Sequence, residues 1–461
     1  MKLSLVFQAY TREYGAYEKV AKSILPLPPL NLCLVASLAE KEGVRVQIID
    51  AEIENLTTDD VIGRLKSFAP DVVGFTATTP FFPSVSKLAK TVKETLSIPI
   101  MVGGPHISIF REKAFYDWFD YLFIGESDLI IGEFIKQFKN NPEEIAIKGV
   151  VSRKKNREIY YSGLPPVPSN LDKVPYPARH YLKNDLYLFR TRNGARKCTM
   201  IQMTRGCPFE CAYCATNLLT KNVRRRSIAN VIKEIEYVVR DLGVEHIYFS
   251  DDNLTLSKEY MMELCGEIEK RNLKFTFEGH TRADLWDEEM AKKMRDCGLV
   301  RISFGLETAV PRMRKIIKKN VPLESYTLAN RINNKLGIET MNSVMLGLPG
   351  ETRETIKETV DYLCKTRDIQ NITYGITVPY PGTEIYKWAE KGMYGLKLLS
   401  RDFSKFHRYG YSVMEVNGIG PEEMIKLQEE GLVRIYSCWW RWLPMLKLHG
   451  FKALLPPYFL S

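Results

Sequence analysis

The stretch Cys207-Pro-Phe-Glu-Cys211-Ala-Tyr-Cys214 places three thiols within eight residues, at C-x3-C-x2-C spacing. A loop this short can turn all three sulfurs towards one small object. A [4Fe-4S] cube has four irons, so three thiolates leave one iron open to a ligand from outside the protein. The alternative is a zinc knuckle, which usually takes paired C-x2-C or Cys/His elements. The chain has no second pair and no His within twenty residues of the triad, so the spacing favours an iron–sulfur cluster.

The composition is typical of a globular protein, with 461 residues, of which 45% are hydrophobic and 26% charged. A chain of that length has room for more than one domain. The formal net charge of +10 suits anionic cofactors, anionic substrates or a membrane surface, and it predicts no nucleic-acid partner. Outside the triad the cysteines are scattered, which indicates a reducing compartment. Without a cleavage region or a run of transmembrane length, the sequence predicts a cytoplasmic protein.

The first 140 residues alternate apolar runs with amphipathic helical patterns, as in a Rossmann-like, doubly wound α/β domain. Strands are predicted at 2–7, 44–50, 71–77, 98–104 and 121–125. Helices are predicted at 30–43, 59–69 and 84–96. Ligands bind such sheets beyond the carboxyl ends of the strands. The small and polar residues at those ends are Thr76, Thr78, Gly103, Gly104, Gly125 and Glu126. A purely structural role in turns is the alternative for each of them.

Residues 141–192 are predicted to connect two domains. The run GVVSRKKNREIYYSG (149–163) indicates a hairpin with the charged KKNR at its turn. The run that follows, 164–182, holds five prolines. Because proline fixes φ and removes a hydrogen-bond donor, this part predicts an extended strap.

A second alternation of strands and helices covers residues 193–392. The predicted strands are 198–204, 244–250, 274–280, 300–307, 339–347 and 371–378, and a helical pattern lies between most of them. Six such units predict a parallel sheet curled into a partial (β/α)6 barrel. The working groups of barrel enzymes lie at the carboxyl ends of the strands, and the cysteine triad follows the first strand.

The segment TRGCPFECAYCAT (204–216) resembles the cluster loop of the radical S-adenosylmethionine (SAM) superfamily. The resemblance implies that the amino and carboxylate groups of SAM chelate the open iron. An electron from the cluster then cleaves SAM into methionine and a 5′-deoxyadenosyl radical. The resemblance also implies that Cys207, Cys211 and Cys214 bind the cluster. The SAM contacts it implies are Tyr213 near the adenine, Asp251 and Asp252 at the amine, Arg282 at the carboxylate, Glu307 at the ribose, and Gly347 and Gly350 at the adenine.

Each of these SAM contacts has a structural alternative. Asp251 and Asp252 could cap a helix, Arg282 could form a surface ion pair, and Gly347 and Gly350 could serve a tight turn. The Gly-Gly-Glu of the superfamily is absent after the second strand. The succession of these residues at strand ends favours a SAM site.

The features of residues 1–140 resemble the cobalamin-binding domain. In that family a Ser/Thr pair after the third strand and a Gly-Gly after the fourth line the slot for the nucleotide tail, which implies a corrinoid site at the strand ends named above. Many corrinoid domains carry D-x-H-x-x-G after the first strand, whose His ligates cobalt. The corresponding run QAYTREYGAYEK (8–19) contains no His, so the resemblance implies base-off cobalamin without a protein imidazole. His106 lies at a different strand end, and we interpret it as a loop histidine.

The last part of the chain, 393–461, is predicted to be a helical cap. Its final run, CWWRWLPMLKLHGFKALLPPYFLS (438–461), contains no acid and is rich in aromatic and basic residues. That composition is typical of a peripheral membrane contact. Packing over the barrel mouth or the cobalamin domain is the alternative.

The chain is therefore identified as a member of the cobalamin-dependent radical SAM enzymes. The resemblance implies a methyltransferase that acts on an unactivated carbon, with methyl transfer from SAM through methylcobalamin and hydrogen abstraction by the 5′-deoxyadenosyl radical. An oxidative cyclase or ring-rearranging enzyme is the first alternative, and a corrinoid sensor or carrier without catalysis is a remote one. The implied partners are a small-molecule or lipid-like substrate and an electron donor such as flavodoxin or ferredoxin. The sequence assigns neither a catalytic residue nor the substrate.

Overall fold

The computed structural model describes residues 1–12, 14, 27–154, 158–191, 194–220 and 222–442. The chain folds as two compact units, of which the first ends at Tyr187 and the second begins with Leu188. Three predicted features lie wholly or partly outside the described residues: the loop 8–19, the turn of the 149–163 hairpin and the C-terminal run 443–461.

The first unit is built on a seven-stranded sheet of order β2-β1-β3-β4-β5-β6-β7. Neighbouring strands from β2 to β5 are parallel, and the last two are antiparallel. The strands are β1 (Lys2–Phe7), β2 (Arg45–Asp50), β3 (Val72–Thr76), β4 (Ile100–Gly103), β5 (Tyr121–Phe123), β6 (Val150–Arg153) and β7 (Ile159–Tyr160).

Helices cover both faces of this sheet, which confirms the doubly wound fold predicted from the sequence. The helices are α1 (Leu30–Lys41), α2 (Thr58–Phe68), α3 (Phe82–Leu96), α4 (Pro105–Phe110) and α5 (Ile131–Asn140). One apolar core joins the sheet to α1 and α5, and a second joins its other face to α2, α3 and α4. Strands covered on both faces are mainly apolar, and β1 to β5 follow this rule with a few polar exceptions such as Ser4 and Gln47.

The predicted hairpin of the connector belongs to this first sheet. Its two strands, β6 and β7, pair with β5 and with each other as an antiparallel extension. Val150 and Val151 are fully buried, which explains why the hairpin packs on the domain and does not span a gap. The sequence pattern predicted the two strands of the hairpin but not their pairing with β5, because pairing between distant segments leaves no local signal.

The second unit is built on an open seven-stranded sheet of order β16-β15-β14-β13-β12-β9-β8, curled into a half-barrel. All neighbours are parallel except β8 and β9. Its strands are β8 (Leu188–Thr191), β9 (Gly194–Ile201), β12 (His246–Phe249), β13 (Thr276–Thr281), β14 (Leu299–Glu307), β15 (Glu339–Leu346) and β16 (Asn371–Ile376). The six parallel strands are those predicted, whereas β8 lies inside the predicted connector.

Two short antiparallel pairs complete the strands of the second unit. They are β10 (Thr204–Arg205) with β11 (Arg224–Arg225), and β17 (Leu396–Leu398) with β18 (Met414–Val416). The helices of this unit are α6 (Thr216–Leu219), α7 (Ile228–Glu236), α8 (Lys258–Lys270), α9 (Glu288–Asp296), α10 (Pro311–Ile316), α11 (Leu323–Leu336), α12 (Arg353–Lys365), α13 (Glu384–Lys391) and α14 (Pro421–Tyr436).

The large core of the second unit lies between the convex face of the sheet and its helices. On β14, for example, Ile302, Phe304 and Leu306 are buried in that core. Because successive side chains of a strand point to opposite faces, Arg301 and Ser303 lie on the concave face. The same alternation assigns a concave side to each of the other barrel strands.

The outer edge of β16 is covered by the C-terminal part of the unit. The Ile376 amide donates to the Arg408 carbonyl at 2.9 Å, and the Tyr436 hydroxyl bonds both polar backbone groups of Ile372. Gln428 Nε2 donates to the Tyr374 carbonyl at 2.8 Å. These contacts pair backbone groups that an edge strand otherwise leaves open.

The predicted aromatic and basic segment is described only as far as Trp442. Arg441 is buried and donates to the carbonyls of Gln370 and Leu363, both at 2.6 Å. Its guanidinium is therefore bound inside the second unit and does not face a membrane surface. Trp439 is 69% exposed. In the described part of the chain no helix is long and apolar enough to cross a membrane, and a peripheral membrane contact stays a prediction.

Candidate functional site

The cysteine loop follows β9 at the carboxyl edge of the half-barrel. Cys207, Cys211 and Cys214 are partly exposed and free, whereas four of the other cysteines are fully buried. Three free, accessible thiols in one loop are a donor set that suits an iron–sulfur cluster. Among the described residues, no group of His, Cys, Asp and Glu side chains has the arrangement of a site for a single metal ion.

The start of the loop is fixed to the end of β12. The buried Asp251 carboxylate accepts hydrogen bonds from the amides of Met203 and Thr204 at 3.3 and 2.6 Å, and from the Thr204 hydroxyl at 2.6 Å. Burial raises the pKa of Asp251 to about 6, although the three donors act in the opposite direction. Asp251 therefore braces the loop, while its neighbour Asp252 is exposed and accepts a hydrogen bond from the Thr216 hydroxyl at 3.0 Å.

The backbone turns sharply just before the first cysteine. Gly206 has φ +92°, and a Cβ at this position would lie 2.6 Å from the Asn222 carbonyl oxygen. Only glycine has both the conformation and the space for this turn.

The middle of the loop contacts the end of β13. The Arg282 guanidinium lies 3.7 Å from the centre of the Phe209 ring and donates two hydrogen bonds to Asp284, at 3.0 and 2.7 Å. A guanidinium over an aromatic face is an attractive arrangement. Phe209 also accepts a 2.6 Å hydrogen bond from Asn217 through its carbonyl. Arg282 is thus brought to the cluster loop, with its charge already balanced by Asp284.

The end of the loop is held by three side chains near the end of β14, of which Glu307 and Lys319 are buried and Tyr213 is partly buried. Tyr213 donates to Glu307 Oε1 at 2.8 Å, and Lys319 Nζ donates to the same oxygen at 3.1 Å. Lys319 also lies 3.3 Å from the Tyr213 hydroxyl. Glu307 has φ +63°, at an irregularity in the pairing of β14 with β15. We call Tyr213, Glu307 and Lys319 the buried triad.

Charge at the buried triad acts on the cluster loop. Burial lowers the pKa of Lys319, but Glu307 together with Tyr326 and Cys211 outweighs burial, so the pKa of Lys319 is raised on balance. Lys319 therefore stays protonated. Burial raises the pKa of the Cys211 thiol, and the Lys319 ammonium opposes this by favouring the thiolate. Lys319 escaped the sequence analysis because it lies twelve residues after Glu307, in no motif.

The glycine-rich segment after β15 forms a turn around a buried acid. Gly347 and Gly350 have φ +80° and +78°. The amides of Gly347 and Leu348 donate to Glu351 Oε2. Burial raises the pKa of Glu351 to about 8, although these backbone donors lower it. Tyr213 packs against an apolar cluster that includes Leu348, so the turn and the cluster loop share this cluster.

The concave face of the half-barrel is closed at its amino end by charged and aromatic side chains. Arg301 donates to Glu278 at 3.1 Å and to Glu339 at 3.0 Å, and Phe189 stacks on His246 at 3.8 Å between ring centres. We call these five residues the floor. Towards the carboxyl end, the Tyr248 hydroxyl lies 2.5 Å from His280 Nε2. Desolvation by the surrounding protein lowers the pKa of the His280 imidazole and raises that of the Tyr248 hydroxyl, which favours the neutral form of both.

The predicted corrinoid contacts of the first unit lie at neighbouring strand ends. Thr76 pairs with Gly103 across β3 and β4, and its hydroxyl accepts a 2.7 Å hydrogen bond from Asn31. Gly104 has φ +103°, and a Cβ here would lie 2.7 Å from the Ala77 carbonyl oxygen. The remaining contacts are exposed or partly exposed: Thr78, Gly125 and Glu126. Glycine is therefore required at position 104 by the neighbouring backbone of Ala77, while the exposed Thr78 and Gly125 leave this edge accessible to a ligand.

His106 is buried beside this edge and does not reach its surface. Its ring stacks on Phe82 at 3.9 Å between centres, and Nδ1 lies 3.3 Å from the Thr79 hydroxyl. Burial lowers the pKa of His106 to about 3. The imidazole is therefore a neutral part of the core.

Comparison with known proteins identifies two families along the chain. Residues 201–363 match the Radical SAM superfamily. Residues 20–135 match the B12 binding domain. The first match contains the cysteine loop and the buried triad, and the second contains most of the doubly wound sheet.

Curated relatives cover most of the chain. An uncharacterized methyltransferase of Pyrococcus horikoshii is 29% identical over 415 residues, which cover 89% of this chain and 88% of the relative. An anaerobic magnesium-protoporphyrin IX monomethyl ester cyclase of Rubrivivax gelatinosus is 24% identical, covering 82% and 68%. A cytidylyl-2-hydroxyethylphosphonate methyltransferase of Streptomyces wedmorensis is 23% identical, covering 78% and 77%.

Among solved structures, the radical SAM methyltransferase TsrM of Kitasatospora setae, with cobalamin and a [4Fe-4S] cluster bound, has a similar fold. The TM-score is 0.71 at 16% identity, covering 95% of this chain and 88% of TsrM. The likeness confirms the fold predicted from the sequence.

Proposed function

Because this chain is a cobalamin-dependent radical SAM enzyme with a Radical SAM domain and a B12 binding domain, we propose that it is a methyltransferase that acts on an unactivated carbon. When bound, the cluster and SAM supply a 5′-deoxyadenosyl radical, and cobalamin supplies a carrier for the methyl group. The observation that carries this proposal is the cysteine loop, which is held by the ends of three successive barrel strands while its thiols stay accessible.

The residues around the loop divide into two roles. Asp251 orients the start of the loop and the Glu307–Lys319 pair orients its end, while Arg282 stacks on Phe209 in its middle. Asp252 is the exposed carboxylate at the same edge and is suited to the SAM ammonium group. Glu307 Oε2, which neither Tyr213 nor Lys319 contacts in its hydrogen bonds, is suited to ribose hydroxyls.

The remaining SAM contacts follow the same edge. Gly347 and Gly350 would let the adenine approach the backbone, because neither carries a side chain. Arg282 would share its guanidinium between Asp284 and the SAM carboxylate. Exclusion of water by the packed Tyr213 side chain would protect a radical from quenching.

The first unit would hold the corrinoid at Thr76, Thr78, Gly103, Gly104, Gly125 and Glu126. The sequence 8–19 has no His, and the nearby His106 is buried against Phe82. Both facts support a base-off cobalamin without a protein imidazole. Held at these strand ends without a protein imidazole, the corrinoid would supply a carrier for the methyl group.

Methyl transfer is favoured over cyclisation by the relatives. A methyltransferase is the most similar of the three relatives described, and it is matched over most of both chains. The magnesium-protoporphyrin cyclase relative is the observation that keeps oxidative cyclisation as the second candidate. Both activities start from the same radical and differ in whether a methyl group reaches the substrate.

The test is an anaerobic assay of the reconstituted, cobalamin-loaded protein with SAM labelled at its methyl group. Small molecules extracted from the source cells serve as the substrate mixture, and a flavodoxin system supplies electrons. We expect 5′-deoxyadenosine together with labelled methyl groups in an extract component, and loss of both in Cys207→Ala, Cys211→Ala and Cys214→Ala. Cys364→Ser is the matched control, because Cys364 is also free and partly exposed but lies on α12.

Two outcomes would contradict the proposal in different ways. Formation of 5′-deoxyadenosine with no labelled product would favour the cyclase. A protein that binds cobalamin but takes up no iron would instead support a corrinoid carrier or sensor.

A further inference from the structure

A guanidinium on the concave face of the half-barrel lacks a carboxylate partner. Arg408 Nη2 donates to the Ser343 hydroxyl at 3.1 Å. Ser343 lies on β15 between Asn342 and Val344, which face α11 and the outer core. By strand alternation the Ser343 side chain lies on the concave face, and Arg408 reaches it there. Within the described residues, Arg408 takes part in no ion pair.

Two backbone features hold this side chain in place. The Arg408 carbonyl accepts hydrogen bonds from the Ile376 amide at 2.9 Å and from Gln428 Nε2 at 3.0 Å. The guanidinium then crosses β16 at Gly375, where a Cβ would lie 2.7 Å from Nε and 2.9 Å from Nη2. Any side chain at Gly375 would displace Arg408, so the glycine keeps its path open.

The floor offers a direct comparison on the same face. Arg301 is bonded by two carboxylates, Glu278 and Glu339. A guanidinium stays charged at every pH at which the protein is folded. Burying part of it without a counter-ion therefore costs free energy. Ser343 satisfies one donor of Arg408 and neutralises nothing. The charge of Arg408 is therefore not balanced by any carboxylate among the described residues.

The surroundings above the floor fit an anionic ligand. Tyr248 and His280 are neutral, and Glu307 is neutralised by Lys319. Arg408 thus adds a positive charge that none of these groups balances. A guanidinium presents paired N–H donors that match the two oxygens of a carboxylate or phosphate.

We propose that Arg408, with Ser343, binds an oxyanion of the substrate, a carboxylate or a phosphate, on the concave face of the half-barrel. This assignment rests on the proposed function, because it names the substrate class of the same barrel. It makes Arg408 a binding residue that fixes the charged end of the substrate while the reacting carbon lies towards the strand ends.

The first experiment measures labelling of arginines by phenylglyoxal in the anaerobic, reconstituted protein, with peptide mass spectrometry as the readout. Inorganic phosphate and acetate are the probes, each compared with chloride at equal ionic strength. We expect one or both anions to slow the labelling of Arg408, by about twofold when half of the sites are filled and by more at higher occupancy. The exposed Arg367, which stacks on Trp439, should be labelled equally in all buffers.

The two probes separate the possible sources of the anion. Stronger protection by phosphate indicates a phosphate ester, and stronger protection by acetate indicates a carboxylate. Equal labelling of Arg408 in every buffer would overturn the proposal. Full protection by SAM alone would also overturn it, because Arg408 would then bind the SAM carboxylate.

The second experiment repeats the labelled-methyl assay with Arg408→Gln and Arg408→Lys. We expect the labelled product to be retained by an anion exchanger and its rate of formation to fall about 30-fold in Arg408→Gln, less in Arg408→Lys. The control Arg401→Gln removes an exposed guanidinium paired with Glu390 and should have no effect.

A labelled product that is neutral and insensitive to Arg408→Gln would overturn the inference and leave the methyltransferase intact. If the unsubstituted protein forms no labelled product, that result counts against the proposed function. The phenylglyoxal experiment would then still test whether Arg408 binds an anion.

Discussion

Lys319 and Glu307 form an ion pair in which both side chains are less than a tenth exposed. Removing one partner of such a pair leaves the other charge buried and uncompensated. We therefore expect Lys319→Met to lower the free energy of unfolding of the second unit by about 3–5 kcal/mol. The free energy of unfolding is measured by titration with denaturant, with amide exchange in β14 as the probe.

The control for this prediction is the next residue. Lys318 pairs with Glu384 at the surface, and Lys318→Met should change the free energy of unfolding by less than about 1 kcal/mol. The double variant Lys319→Met with Glu307→Gln should recover much of the loss, because no unpaired charge remains. A double variant as unstable as the single one would contradict this explanation.

Glu351 predicts a pH dependence at the glycine-rich turn. Burial raises the pKa of Glu351 to about 8 from an ordinary 4.5. Between these values only the unfolded chain loses the proton, so the folded state loses stability as pH rises, by at most about 1.4 kcal/mol per unit. Glu351→Gln removes this titration. The difference in opening free energy between the two proteins, from amide exchange in β15 and α12, should therefore grow from pH 4.5 to 8.

The control for the pH prediction is Glu354→Gln, which replaces an exposed acid at the start of α12, three residues after Glu351. Its stability should follow that of the unsubstituted chain at every pH. Parallel curves for Glu351→Gln and the unsubstituted protein would show that Glu351 is ionised in the folded state.

At the scale of elements, substitutions of the adjacent residues Asp251 and Asp252 should have different effects, because Asp251 braces the loop and Asp252 is proposed to bind SAM. Asp251→Asn exchanges a charged acceptor of three hydrogen bonds for a neutral amide, so we expect less iron per chain after reconstitution. Asp252→Asn should keep its iron and bind SAM about tenfold more weakly. Iron analysis and equilibrium dialysis of SAM measure the two effects. Equal iron loss in both variants would contradict the division.

The strands and helices were readable from the sequence because apolar periodicity records burial. The six parallel strands of the barrel and the five of the first sheet were predicted on that basis. The bracing role of Asp251 was not, since the same carboxylate at a strand end suits a ligand or a neighbouring amide. Lys319 and Arg408 were missed because each meets its partners through folding alone, at separations of 12 and 65 residues.

At the scale of the whole molecule, the two units have separate cores and should respond separately to ligands. Cobalamin at 100 times its Kd should stabilise the unit that binds it by about 2.7 kcal/mol. We expect amide exchange to slow in β1, β3 and β4, and to stay unchanged in β14 and β15. SAM added alone is the control and should act on the second unit. Protection of β14 by cobalamin would contradict this independence.

The covered edge of β16 has a consequence for how the protein behaves in solution. An open half-barrel without that cover would present six residues of unpaired strand, 371–376, to other chains. Exposed strand edges are templates for intermolecular pairing and aggregation. The carbonyl of Arg408, the amide of Gln428 and the hydroxyl of Tyr436 occupy this edge in the folded chain. The segment after the barrel therefore protects the edge of β16 from pairing with other chains. We expect a chain that ends before Arg408 to aggregate through this edge.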